Sequence, residues 1–423
     1  MEALDRIPYE LLSTINAYAA DWVSLESLLQ VSPRVGEIFS GNANTEADYE
    51  AVRLVESILQ ENPVMRYELH CQFRMALKLR HPSLKSSSLT DFISQDHSSS
   101  LMTSTPSICP GKLKEMVSVA ANIQRLACAC LTTLLGRVRK VQPRCWKRRA
   151  SDGTEPYQPR EAGSPTWIEE YRVYRALWNL QLYSDLSTAG KRLGWLHDDL
   201  ENWWFGHMRW DEVPVMVGEE VRTVSECLET LCEDDPILRT TKAQVTKFYS
   251  ERHSFDIQLI SQLPNASQLC RGFEVWAPPL LPEIPVTDDG YPLDPWGWGL
   301  RSLRFNRMAA FFRVCQLRTT THPAMHQVCQ IQDAGPWRGL GMPIWDLWRC
   351  YCLGLHSARH NIPGRYSGPL RAPDGSVVPE GCSPPTRGFE EDYRYSVFMH
   401  ARTQMQKDEF KEMQLERRNS IKK

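Results

Sequence analysis

The chain has no excess of charge, no long unbroken apolar run and none of the short glycine-rich signatures that cradle phosphates. Its 49 Lys and Arg against 51 Asp and Glu leave a formal net charge of -2, which gives no global attraction for nucleic acid or a membrane surface. No stretch of about 18 uninterrupted apolar residues occurs, so no membrane partner is expected. Glu2, Asp5 and Arg6 open the sequence with no apolar run behind them, which is not the pattern of a secretory signal. A G-x-S-x-G elbow, a phosphate-cradling glycine loop and a kinase signature are all missing. The 13 cysteines are odd in number and not spaced as a disulfide framework, so the cytosol or nucleus is the expected compartment. Asn265-Ala266-Ser267 matches a glycosylation acceptor, a chance match in a chain read as having no secretory signal.

What is present is an ordinary globular composition, 42% apolar and 24% charged over 423 residues. That is enough for a sizeable core, in two or three domains or in one body with a small appendage. Periodic apolar positions predict helices over 45–81, 112–139 and from Pro165 through the aromatic stripe Trp167, Tyr171, Tyr174, Leu177, Trp178 and Leu182. Further helices are expected over 214–232 and 240–261, within "LRSLRFNRMAAFFRVCQL" and "IWDLWRCYCLGLHSARH", and along a charged tail. Residues 83–110 are rich in Ser and Thr and read as a loop or linker, partly disordered. Pro and Gly crowd 277–299 and 361–388, which read as long ordered loops. No alternation argues for a large sheet. The expected fold class is mainly α: a short N-terminal three-helix unit over 1–42, a helical region over 43–150 with the Ser-rich linker, and a C-terminal helical body with Pro/Gly-rich loops over 151–423.

The opening stretch carries the most specific pattern. Pro8 suits a first helical turn, where its missing N–H is no loss. Leu11, Leu12 and Ile15 then fall at one-face spacing, with Ala19 continuing it. Ser24 is a weak cap for a second stripe of Leu25, Leu28 and Leu29. Pro33 restarts the chain for a third stripe of Val35, Ile38 and Phe39, and Gly41-Asn42 closes it. A unit of about 35 residues cannot bury enough apolar surface to stand alone. It must pack on a partner chain or on its own neighbour at 45–81, and both arrangements remain open from the sequence.

The order Ile7, Pro8, Glu10, Leu11, Leu12, Ile15, then Leu25, Leu28, Val31, Ser32 and Phe39 resembles an F-box. The loop after the first helix is one residue longer than the common pattern; Ala19 stands for a usual leucine, Ser24 for an aspartate and Pro33 for a basic residue. "YRVYRALWNLQLYSDL" and "PWGWGLRSLRFNRM" are similar to the body of a large group of fungal F-box-like proteins of unknown role. The resemblance implies a non-enzymatic adaptor. Its N-terminal helices would dock a Skp-type adaptor of a cullin-RING ubiquitin ligase through Ile7, Pro8, Leu11, Leu12, Ile15, Leu25, Leu28 and Val31, while the body recruits a protein target. An interaction protein that keeps this packing without adaptor binding is the alternative.

Other constellations are less specific. His322/His326 and His356/His360 have the four-residue spacing that puts two imidazoles on one helix face. The glutamate of the zincin signature is missing, with Pro323 and Ser357 in its place. A metal-dependent enzyme on these pairs is therefore the least favoured reading, and no metal or cofactor is expected. Cys128/Cys130 and Cys350/Cys352 are spaced C-x-C, closer than zinc or redox motifs use, and read as small buried hydrophobes. The basic run 137–149 contains a single aromatic, Trp146, which is not a stacking platform for single strands. Asp198-Asp199 and Asp288-Asp289 read as turn or helix-start carboxylates, and "WWFGHMRW" at 203–210 as packing.

Overall fold

The computed structural model describes residues 7–40, 46–101, 109–140, 160–208, 217–234, 245–250, 255–269, 272–286, 294–303, 338–353, 371–372 and 375–378. The fold is mainly α, as the periodicity predicts. Two compact units form: one from residues 1–132, 165–212 and 216–281, the other from 133–164, 213–215 and 282–423.

The first unit opens with α1 (Tyr9–Ala19), α2 (Trp22–Val31) and α3 (Pro33–Ile38). Asp21, not Ser24, caps α2: its carboxylate accepts from Ser24 N at 2.9 Å. Aspartate satisfies an orphan first-turn amide, and Ser24 lies one turn too far in to do so. Ser32 caps α3 in the same way, with Pro33 at the first helical position. Between α1 and α2, Ala20 adopts the left-handed conformation at φ 44. It is held there by Asn62, whose Nδ2 donates to Ala20 O at 2.6 Å.

Helix α4 (Glu46–Glu61) runs against α1, and Asn16 Nδ2 donates to Leu54 O at 2.9 Å across that contact. The chain then turns through a π-helical stretch, Met65–Leu69, in which Glu68 sits at φ 71 and ψ -31. Asn62 Oδ1 accepts from Val64 N and Met65 N, at 3.1 and 3.0 Å, to close that turn. Helix α5 (His70–Leu79) follows. The Ser-rich stretch expected as a linker is partly built into the core. Ser88 caps the short α6 (Leu89–Ile93), and Leu89, Phe92, His97 and Leu101 are buried. Ser88 serves as a cap, and Ser86, Ser94, Ser98 and Ser99 donate hydroxyl bonds within the turns, rather than acting as spacers.

Helix α7 (Pro110–Val138) is long and apolar enough to cross a membrane by length and composition. Of its most apolar window, 67% is buried inside the molecule, as in a core helix. Helix α8 (Trp167–Leu193) starts with a capping box between Thr166 and Glu169 and ends at Gly194, φ 74. Its first half is buried all round, and only towards its C-terminus do Gln181, Ser184, Thr188 and Lys191 reach the surface. Glu169, Glu170, Arg172, Arg175 and Asp185 are inside with the aromatics. Arg175 meets Glu220 at 2.6 Å and Arg80 meets Asp185 at 2.8 Å, so these two pairs are matched as burial requires, whereas Glu170 meets the neutral Trp276 indole. Helices α9 (His197–Met208) and α10 (Val217–Asp234) pack on α8.

Residues 240–261, expected as helix, instead contain an antiparallel hairpin of β1 (Val245–Ser250) and β2 (Phe255–Ile260), in register Val245↔Ile260 through Ser250↔Phe255. "VTKFYS" is β-branched and aromatic, and "FDIQLI" alternates with period two, which favours strands. Ser225 Oγ of α10 accepts from Ile260 N at 2.9 Å, tying the hairpin to the helices. The unit closes with α11 (Ala266–Leu269) and an irregular segment, Gly272–Leu281.

The second unit is organised by aromatic rings. Trp296 lies 4.9 Å from Trp348 and 5.2 Å from Tyr351, ring centre to ring centre. Asp346 caps α12 (Leu347–Cys352) and accepts from the Trp298 indole at 2.6 Å. The Arg160 guanidinium lies about 5 Å from both the Trp348 and Tyr351 rings. Within "LRSLRFNRMAAFFRVCQL", Leu300–Leu303 forms a short 3-10 turn, and residues from 304 lie outside the described residues. Within "IWDLWRCYCLGLHSARH", α12 is the described helix, and residues from 354 lie outside the described residues. The expected tail helix and the loop at 361–370 lie outside the described residues.

Candidate functional site

Among the described residues, the N-terminal unit has one face claimed by its own chain and one that is not. Leu12 and Leu25 are buried, with 4% and 1% of their surface exposed. Leu11 is 56%, Ile15 49%, Tyr18 87% and Val31 44% exposed. Pro8 is also exposed, and Ile7 and Leu28 are half-buried. Leu11 and Leu12 therefore do not share a face as expected. Neighbours on a helix project about 100° apart, and the body takes Leu12 and Asn16. The latter binds Leu54 O and, at 3.0 Å, Ser57 Oγ.

What remains outward is Pro8, Leu11, Ile15 and Tyr18, spaced three, four and three apart, which is one continuous stripe along α1. Leu28 and Val31 make a second, shorter stripe on α2. Of the eight residues expected to meet a partner, six keep exposed or half-exposed surface, and Leu12 and Leu25 instead form the packing beneath. Tyr18 and Tyr49, the latter 61% exposed, were not among the expected residues. Tyr18 continues the Leu11–Ile15 spacing and was legible from it; Tyr49 sits on α4 and was not.

The scaffold under this face is fixed by long-range bonds. Tyr9 Oη donates to Glu50 O at 2.9 Å, and burial, with the nearby Glu50 charge, pushes its phenol up to about 12. Arg34 Nη1 donates to Ile7 O at 2.6 Å, bringing α3 back against the start of α1. Trp22 stacks on Phe73 of α5 at 5.3 Å. Glu26 pairs with Arg125 of α7 at 2.5 Å. Gln124 Oε1 accepts from Trp22 N and Val23 N at 3.1 and 3.4 Å. The face is thus presented on a rigid base, which suits docking.

The other candidates separate. His322, His326, His356 and His360 lie outside the described residues, as do Asp288-Asp289 and residues 141–149 of the basic run. Among the described residues, no three His, Cys, Asp or Glu side chains converge as a metal site. Cys128, Cys130, Cys350 and Cys352 are buried, in keeping with their reading as small hydrophobes. Trp204 is buried against Tyr183 of α8 at 4.8 Å, while Trp203 stacks on His207 of its own helix, also at 4.8 Å. A cavity of about 600 Å³ opens beside α8 and α9, lined by Tyr183, Lys191, Trp195 and His197 among others; none of the residues expected to act on a ligand lines it. No protein-family model, curated protein or solved structure matches this chain.

Proposed function

We propose that the chain is a non-enzymatic adaptor whose N-terminal helices dock a Skp-type subunit of a cullin-RING ubiquitin ligase, while the rest of the chain holds a protein target. The observation that carries this is the outward stripe of Pro8, Leu11, Ile15 and Tyr18 on a braced three-helix base. Four apolar side chains in line on one short helix would be costly to leave in water without a purpose. Burying three or four of them at roughly 1.5–3 kcal/mol each is ample to offset association costs. The F-box-like order of residues names the partner class.

The test is co-purification of the full chain with a soluble Skp-type adaptor. Binding by the wild type and its loss in Leu11→Asp and Ile15→Asp, with unchanged circular dichroism, is the expected result. No binding by a soluble, folded wild-type chain rejects the reading. It would favour the alternative, an interaction protein with this packing alone, to which the ties of α2 to Phe73, Gln124 and Arg125 also lend weight.

A further inference from the structure

The segment Gly272–Leu281, "GFEVWAPPLL", crosses the first unit without helix or strand. Among the described residues, 273–281 make no backbone-to-backbone hydrogen bond. It is gripped instead at one residue, Trp276, by side chains of α7 and α8. Trp276 N donates to Cys128 Sγ at 3.5 Å. Its carbonyl accepts from Gln124 Nε2 at 3.1 Å and from the Cys128 thiol at 3.7 Å. Its indole Nε1 donates to Glu170 Oε1 at 2.6 Å. Pro278 is buried two residues on, while Ala277 and Leu280 face solvent.

This is how a groove holds a peptide ligand. One anchoring aromatic sits with its N–H satisfied, backbone polar groups are met by side chains, and flanking prolines lower the entropy cost of ordering. The floor beneath the indole has spare bonding capacity. Among the described residues, Glu170 Oε2 and Tyr174 Oη are buried and have no hydrogen-bond partner. Burial pushes the Glu170 carboxyl up to about 8, against a smaller downward pull from the indole hydrogen bond. Burial thus favours the protonated carboxyl, which can donate as well as accept. The occupant in place does not use everything the groove offers.

We propose that the surface where α7 and α8 meet Trp276 is a peptide-recognition groove, occupied in the free protein by the chain's own Gly272–Leu281 strap and open to a protein segment carrying a tryptophan followed by prolines. The strap stands in for that ligand and is exchanged for it. Gln124 gives the exchange a second consequence, because the amide that holds the strap carbonyl also holds Asp21 and the first amides of α2. The groove is separate from the outward stripe on α1, so the proposal holds whether or not the N-terminal helices bind an adaptor.

The experiment uses the full chain and a fluorescein-labelled synthetic peptide of sequence GFEVWAPPLL, read by fluorescence polarisation. Freeing the groove with Trp276→Ala raises the competent fraction. The variant is expected to bind the peptide at least about tenfold more tightly than the wild type. The same peptide with alanine in place of tryptophan is expected to bind neither. No binding to a Trp276→Ala chain of native circular dichroism overturns the proposal. Equal binding by variant and wild type, or equal binding of a scrambled peptide, does so as well. Hydrogen exchange on the wild type decides the matter should the variant not fold. Exchange of the Trp276 indole N–H, held by Glu170, that speeds up at least about tenfold when excess GFEVWAPPLL peptide is added supports a displaceable segment. Equal protection with and without the peptide overturns it.

Discussion

Helices α1 and α8 invert each other. Of the eleven residues of α1, only Leu12 and Asn16 are buried, and leucine, isoleucine and tyrosine face water. Over its 27 residues α8 buries twenty, glutamates and arginines among them. Hydropathy alone would have placed these side chains the other way. A helix that shows apolar groups to solvent is marked for a partner, whereas one that hides charge has found its partners within the chain.

The comparison can be broken hardest on the α8 side. Unfolded, the Glu170 carboxyl ionises near its ordinary value of 4.5; folded, burial holds it near 8. Between those limits the folded protein keeps a proton that the unfolded chain has lost. Stability therefore falls as pH rises from about 4.5 through 8, by an amount on the order of 4–5 kcal/mol. Glu170→Gln keeps an acceptor for the Trp276 indole and removes the titration. Urea midpoints of this variant should lack that fall, leaving the smaller pH dependence of His70, His97 and Asp185, with the largest gain over the wild type at the alkaline end.

Next in size is Arg175→Ala, which leaves Glu220 buried without its closest partner. A loss of about 3–5 kcal/mol is expected by chemical denaturation, partly relieved by Arg172, 3.8 Å from the same carboxylate. Asp21→Ala removes the cap of α2 and a contact to Gln124, and should cost about 1–2 kcal/mol. Smallest is Leu11→Asp on the exposed stripe. It should move global stability by no more than about 0.5 kcal/mol in urea while removing any adaptor binding. A loss of several kcal/mol there would mean that α1 is packed like α8, and the contrast between them would disappear.

Much of the helical frame was legible in the sequence, because local period and breakers decide it. Helices at 46–61, 110–138 and 167–193 follow their apolar spacing closely. So does the outward stripe, since Pro8, Leu11 and Ile15 stand at helical intervals whoever covers them. Less legible was anything decided by distant residues. Leu11 and Leu12 read alike until Leu54 and Ser57 of α4 claim the side on which Leu12 and Asn16 lie. Asp21 outcompetes Ser24 as a cap only once the start of α2 is fixed. Phe248 and Ile257 could continue a helical pattern as well as a strand one, and pairing 245–250 with 255–260 decided for strands. Nothing local to Trp276 says that Gln124, Cys128 and Glu170 will converge on it.

Asn62 joins two bends of the chain: its amide nitrogen meets Ala20, 42 residues back, and its oxygen closes the turn at Val64 and Met65. The bend that starts α2 and the bend that ends α4 are therefore one hinge pin. A residue inserted ahead of it in α4 would rotate the pin by a quarter turn or more and pull it from one bend or the other. The spacing of the two helices is metered by a single side chain, and the outward stripe keeps its aim only while that measure holds.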